Sequence, residues 1–159
     1  MYTVHLAKEP FKFSCSHFTI LGPDRAERLH GHNYKMKVSI QVDATNDKLG
    51  FAFDFNDVKP LIRQLCDELD ERILLAAKSP YLKLKNDANS VEAVFAGKRY
   101  VFPNEDTLSL PLVNITSEEL ARFSAERFKK DFAHLKFWTS LEVNVEETRG
   151  QSVSYSRAR

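Results

Sequence analysis

Five histidines occur in the 159-residue chain, and three of them share a phase. His30 and His32 flank Gly31 at the head of a segment in which Tyr34, Met36, Val38, Ile40 and Val42 alternate with Asn33, Lys35, Lys37, Ser39, Gln41 and Asp43. That alternation is the period of a half-buried strand. Residues i and i+2 of a strand point to one face, with Cα atoms about 6.5–7 Å apart. Two imidazoles so placed can converge on one ion about 2.0–2.1 Å from each nitrogen. Gly31 between them lets the backbone bend or be approached closely. His17 closes an earlier segment in phase with Phe11, Phe13 and Cys15. All three histidines thus lie on the apolar, covered side at the ends of two neighbouring strands. Three imidazoles with one open coordination position form the donor set of a catalytic zinc site. A structural zinc site would need a fourth protein ligand, and Cys15 is the residue in phase to supply it. His5 and His134 have no partner pattern and are read as structural.

A carboxylate stands near the other end of the chain. In Leu141-Glu142-Val143-Asn144-Val145-Glu146-Glu147, Glu142, Asn144 and Glu146 point outward, and Glu147 falls on the side of Leu141, Val143 and Val145. A carboxylate on a covered face needs donors. Two adjacent N–H groups on a guanidine-like edge would suit it in a bidentate pair. The other reading is that the strand ends at Glu146 and Glu147 turns to solvent.

The elements that position these residues follow from the same patterns. A first strand is expected from about Tyr2 to His17, and a loop Leu21-Gly22-Pro23-Asp24-Arg25 leads to the second, ending at the turn Asn46 to Gly50. Val58, Leu61, Ile62, Leu65, Leu69 and Ile73 recur at helical spacing, so a helix is expected from about Asn56 to Leu75, capped by Asp54 or Asn56. The stretch 78–111 is irregular, with a hairpin of Val91 to Phe95 and Arg99 to Phe102 around Ala96-Gly97. Thr116-Ser117-Glu118-Glu119 has the spacing of a capping box, and Leu120, Phe123, Phe128 and Phe132 form the stripe of a second helix. Two strands, about 137–146 and 152–156, complete an α+β order of one domain over 1–159, an antiparallel sheet with helices on one face.

Composition narrows the function classes. Charges nearly cancel at a formal +1, which gives no support for nucleic-acid or membrane-surface binding through bulk charge. Two cysteines without CxxC spacing argue against a disulfide scaffold and point to a reducing, cytoplasmic setting. No signal peptide or membrane span is expected.

Several motifs taken together resemble the 6-pyruvoyltetrahydropterin synthases and the related 6-carboxytetrahydropterin synthases of the queuosine pathway. They are Phe13-Ser14-Cys15-Ser16-His17, Leu29-His30-Gly31-His32-Asn33-Tyr34, Asp54-Phe55, Leu69-Asp70, Thr116-Ser117-Glu118 and Glu147-Thr148. The resemblance implies a T-fold, with an antiparallel four-stranded sheet, two helices on one face and the inserted hairpin at about 78–111. It implies ring-like homo-oligomers, trimers or hexamers, with active sites between subunits. It implies zinc on His17, His30 and His32, a reduced pterin anchored by Glu147, and Thr116 and Ser117 nearby.

The chain departs from the family in two places. The loop before His30 reads Asp24-Arg25-Ala26-Glu27-Arg28-Leu29 and lacks the family's catalytic cysteine; Cys15 is read as core. Glu27 resembles the glutamate of a variant class that cleaves the side chain of dihydroneopterin triphosphate to 6-hydroxymethyl-dihydropterin, a folate precursor. The family's Asp-His is Asp70-Glu71 here. Glu71 is either a substitute base or an exposed helix residue, and Asp70 keeps the family's catalytic position. The resemblance therefore leaves three functions open: side-chain cleavage, formation of the 6-pyruvoyl or 6-carboxy product, and zinc and pterin binding without turnover. Lys35, Lys37, Arg25 and Arg28 are candidate triphosphate contacts.

Overall fold

The computed structural model describes residues 1–135 and 138–159. Its largest sheet is built on the strand with the cleanest alternation. Strand β3 (His30–Val42) is long enough for two shorter strands to pair end to end along one edge, β1 (Tyr2–Leu6) and β2 (Lys12–His17), both antiparallel. The single strand expected over Tyr2 to His17 is therefore two. The break falls at Glu9-Pro10, where proline has no N–H to give to a ladder, and Phe11 N–H turns back to the Lys8 carbonyl at 2.9 Å.

The expected first helix is shorter than its periodicity suggests. Asp54 accepts the Asn56 N–H at 2.8 Å and caps a 3-10 turn, Phe55–Asp57; α1 then runs only over Lys59–Leu69, with Pro60 in its first turn. It buries Ile62, Leu65, Cys66 and Leu69, one helical face. Ile73 belongs instead to β4 (Arg72–Ala76), which pairs parallel with β2. Between them Glu71 takes a φ of 55°. The Asp70 carboxylate accepts the Ser14 N–H at 2.6 Å, and Glu71 N–H donates to the Ser14 carbonyl at 2.7 Å, so β2 captures the chain where the helix ends. Leu74 faces the main core and Leu75 a second cluster, so β4 is covered on both sides. A strand covered on both sides reads as a continuous apolar run and carries no alternation to give it away.

The segment expected to hold one hairpin holds a separate three-stranded antiparallel sheet: β5 (Lys83–Asn86), β6 (Ser90–Phe95) and β7 (Lys98–Pro103). The β6–β7 turn is at Ala96-Gly97, as expected, with both φ values positive (46° and 80°), as a type I′ turn requires. A further strand, β8 (Thr107–Leu110), then returns to the main sheet beside β4. Helix α2 (Ser117–Asp131) follows, with Thr116 Oγ1 accepting the Glu119 N–H at 3.3 Å, the first half of the capping box. Strands β9 (Trp138–Thr148) and β10 (Gln151–Ala158) close the chain; the residue 137 expected to start β9 lies outside the described residues.

The main sheet thus has seven strands rather than four, in the order β10-β9-β3-β2-β4-β8 with β1 on β3, and its β2-β4 and β4-β8 pairings are parallel. The α+β, T-fold-like plan of a sheet and two helices holds. Both helices pack on one core with Tyr34, Met36, Val38, Ile40 and Val42, the apolar face of β3. No described helix is long and apolar enough to cross a membrane.

Candidate active site at the ends of β2, β3 and β9

Pairing of β2 with β3 sets His17 directly opposite His30, and Cys15 opposite His32. Directly opposed residues of an antiparallel pair have Cβ atoms about 4.5–5.5 Å apart. The three imidazoles converge: each offers a nitrogen within 4.8 Å of the others, and the His30 and His32 Nε2 atoms are 2.9 Å apart. Two carbonyls orient the rings. His17 Nδ1 donates to the Ile115 carbonyl at 3.1 Å and His30 Nδ1 to the Arg28 carbonyl at 2.7 Å. With the proton held on Nδ1, the Nε2 lone pair of each is free to bind a metal. Burial, opposed by the bond to Ile115, holds the His17 pKa below its usual value and favours the neutral ring. The donor set fits a tetrahedral ion: nitrogens at about 2.0–2.1 Å from zinc lie about 3.3 Å from each other, a few tenths of an ångström wider than the His30–His32 pair. Cys15 does not join the group; it is buried in the main core, where desolvation pushes its thiol up to about 12.

Glu147 faces inward, as its parity allows. Its Oε1 accepts the Tyr34 hydroxyl at 2.9 Å and lies 3.3 Å from His32 Nε2 and 3.8 Å from His17 Nε2. Tyr34 is buried beneath both, its hydroxyl 3.2 Å from His17 Nε2, and burial together with the Glu147 charge pushes its pKa up. Glu147 is still 30% exposed, so its other oxygen can be reached.

A cleft of about 730 Å³ opens over these groups, and Glu27, His30, His32, Thr116, Ser117 and Glu147 all line it. Glu27 Oε2 is 3.9 Å from His30 Nε2, on a loop that folds back so that Glu27 N–H donates to the Thr19 carbonyl at 2.9 Å. Thr116 and Ser117 are at the N-terminal end of α2, where free N–H groups accumulate. Ser117 Oγ is buried without a hydrogen-bond partner among the described residues. Asp70 and Glu71 do not line the cleft. Lys35 and Lys37 are on the opposite face of β3, where Lys37 pairs with Glu146 at 3.5 Å.

Asn114 is a site residue that sequence reasoning missed. Its side-chain amide bonds the Ile20 backbone twice, accepting the N–H at 3.0 Å and donating to the carbonyl at 2.8 Å. It thereby fixes the segment after His17 against Ile115, whose carbonyl orients His17. A side-chain amide imitating a strand partner has no period in the sequence, and the residue's place one before Ile115 and two before the Thr116 cap was the available signal.

The fold and the sequence have counterparts among known proteins. The sequence profile of the 6-pyruvoyl tetrahydropterin synthase family matches residues 5–158. A Haemophilus influenzae 6-carboxy-5,6,7,8-tetrahydropterin synthase is 29% identical over 129 residues, covering 79% of this chain and 82% of its own. A Methanocaldococcus jannaschii protein given the same enzyme name is 27% identical over 150 residues, 92% of this chain and 90% of its own. Plasmodium falciparum 6-pyruvoyl tetrahydropterin synthase superposes with a TM-score of 0.92 at 25% identity over 99% of this chain and 98% of its own. The chain belongs to the 6-pyruvoyl tetrahydropterin synthase family. Tetrahydropterin synthases are pterin-processing enzymes of the lyase type.

Proposed function

We propose that the protein is a zinc-dependent lyase that cleaves the side chain of dihydroneopterin triphosphate, or of a related reduced pterin, to give 6-hydroxymethyl-dihydropterin. The observation that carries this reading is the Glu27 carboxylate 3.9 Å from His30, in a cleft with no cysteine among its described lining residues. In Plasmodium vivax 6-pyruvoyltetrahydropterin synthase, two solved variants replace a catalytic glutamate with alanine and with cysteine.

His17, His30 and His32 would hold the zinc, which supplies Lewis-acid polarisation of a side-chain oxygen when bound. Glu147 accepts the two N–H donors of the pterin's 2-amino-4-oxo edge, with Tyr34 steadying the carboxylate from behind. Thr116 and Ser117 lie where they can bond the ring. Glu27 takes the proton of the hydroxyl on the second side-chain carbon. The bond between the first and second side-chain carbons then breaks, and its electron pair passes into the C6=N5 imine of the ring. A proton returned to the first carbon yields the hydroxymethyl pterin, and the remaining two carbons leave as the aldehyde that carries the triphosphate. Arg25 and Arg28, on the Glu27 loop, are the remaining candidates for the triphosphate. We place the active site between subunits of a trimer or hexamer, so that Asp70 and Glu71 serve a neighbour's cleft.

The test is to incubate zinc-loaded protein with dihydroneopterin triphosphate and weigh the pterin product, with a chelator-treated control. Hydroxymethyl-dihydropterin that disappears with chelator is the expected result. The names of the bacterial and archaeal relatives favour a second reading, 6-carboxytetrahydropterin synthesis, and a 6-carboxy product would establish it in place of the first. Bound pterin with no product would identify a binding protein.

A further inference from the structure

Beyond His17 the chain continues into a loop whose two sides meet different neighbours. Thr19 and Glu27 line the cleft. Phe18 and Ile20 point the other way and are buried, 5% and 9% exposed. Ala26 packs on that same hidden side, directly before Glu27. Two backbone bonds across the loop, Leu21 N–H to the Arg25 carbonyl at 2.8 Å and Glu27 N–H to the Thr19 carbonyl at 2.9 Å, make an antiparallel bridge between Ile20 and Ala26. Its back rests on the inserted sheet. Phe18, Ile20 and Ala26 share a cluster with Val91, Ala93 and Phe95 of β6. The Phe18 ring stacks on Tyr100 of β7 with centroids 5.5 Å apart at 21°, and Tyr100 stacks on Phe102 at 5.8 Å. From the main sheet, β4 adds Ile73 and Leu75 to the same cluster.

A lid would face the open side of the cleft. None of the described residues lining the cleft comes from 83–103. The inserted sheet therefore stands behind the loop. Glu27 needs such backing, because its side chain is 44% exposed and touches His30 only at 3.9 Å. Displacing a reacting group by about 1 Å can cost on the order of a hundredfold in rate.

We infer that the inserted sheet β5–β7 is the support that positions Glu27, with Phe95 and Tyr100 as positioning residues acting through Phe18 and Ala26. The catalytic part of this inference rests on the proton-accepting role proposed for Glu27. The structural part is the state of the loop and can be measured without turnover.

Tyr100 is the residue to change, since it is partly exposed and outside the main core. Tyr100→Ala removes the ring beneath Phe18, and Tyr100→Phe keeps it. Amide exchange followed by NMR should show the Leu21 and Glu27 amides of Tyr100→Ala exchanging on the order of tenfold faster, with β3 amides unchanged and Tyr100→Phe like the parent. In the turnover assay Tyr100→Ala should lower kcat on the order of tenfold or more, with KM and bound zinc unchanged. It should cost nothing further when combined with Glu27→Gln. Unchanged exchange at Leu21 and Glu27 overturns the inference, as does an equal acceleration across β3 and α2, which would mark general loosening. Full turnover by Glu27→Gln alone would overturn the proposed role of Glu27 and leave the support of the loop to be decided by the exchange data.

Discussion

A carboxylate 3.9 Å from an imidazole nitrogen is too far for a strong hydrogen bond and near enough to exchange a proton through a bound hydroxyl. That places Glu27 beside the three clustered imidazoles without making it one of the group, and it separates two substitutions that would otherwise look alike. Glu27→Gln should lose turnover by two orders of magnitude or more while metal analysis still finds one zinc per chain. His30→Ala should lose both, because the other two imidazoles cannot hold the ion alone. Glu147 lies 3.3 Å from His32 Nε2, and the role proposed for it is to hold the pterin edge. Glu147→Gln should weaken reduced-pterin binding by about ten- to a hundredfold, measured by calorimetry on the zinc-loaded protein; unchanged affinity would remove Glu147 from the pterin edge. The phase of the histidines was legible in the sequence because strand parity sorts faces; for Glu147 parity left an exposed strand end open, and the family resemblance favoured the inward reading. Tyr34 was legible only as core. That its hydroxyl reaches Glu147 depends on a β3–β9 pairing that alternation does not specify.

At the scale of elements, the start of α2 proved readable and the extent of α1 did not. Thr116 caps α2 where its box predicts, whereas Ile73 mimicked one more turn of α1 because it follows Leu69 at a helical interval. What ends α1 is a bond pair to Ser14, a residue far away in sequence. The α2 N-terminus also carries a local charge pair. Arg122 holds Glu119 with two bonds, 2.8 and 2.9 Å, and draws the Glu119 pKa below its ordinary value, against the opposing effect of burial. A carboxyl with a depressed folded-state pKa stabilises the fold fully above its unfolded value near 4.5, and that contribution is lost as pH falls through the lower folded value. Arg122 is 41% exposed, so solvent screening limits the effect. Glu119→Gln should cost about 0.5 kcal/mol at neutral pH, and thermal melts of the two proteins should converge once the pH is well below 4.5. A difference in melting temperature that persists unchanged into strong acid would assign the effect to packing.

For the molecule as a whole, the main sheet is open at both edges. β10 offers eight residues and β8 four, at opposite ends of one strand order. Unpaired edges are templates for further strands. If the trimers or hexamers that the family resemblance implies form through these edges, sedimentation should find them rather than single chains, and Val153→Pro, inside β10, should shift the mass toward the monomer while the histidine cluster survives. A monomer at micromolar concentration in the parent protein would sink the shared-site proposal for Asp70 and Glu71. The parallel pairings β2-β4-β8 were invisible to a reading by alternation, since the central strand β4 is covered on both sides and does not alternate, and its partners lie far along the chain. Distance along the chain has one more consequence. The three histidines lie close together along the chain, but Tyr34 meets Glu147 across 113 positions and His17 meets the Ile115 carbonyl across 98. Contacts this remote form late and slowly. On the ribosome the three histidines emerge well before Glu147, so any ligand that needs both groups must wait until the chain between them has been made.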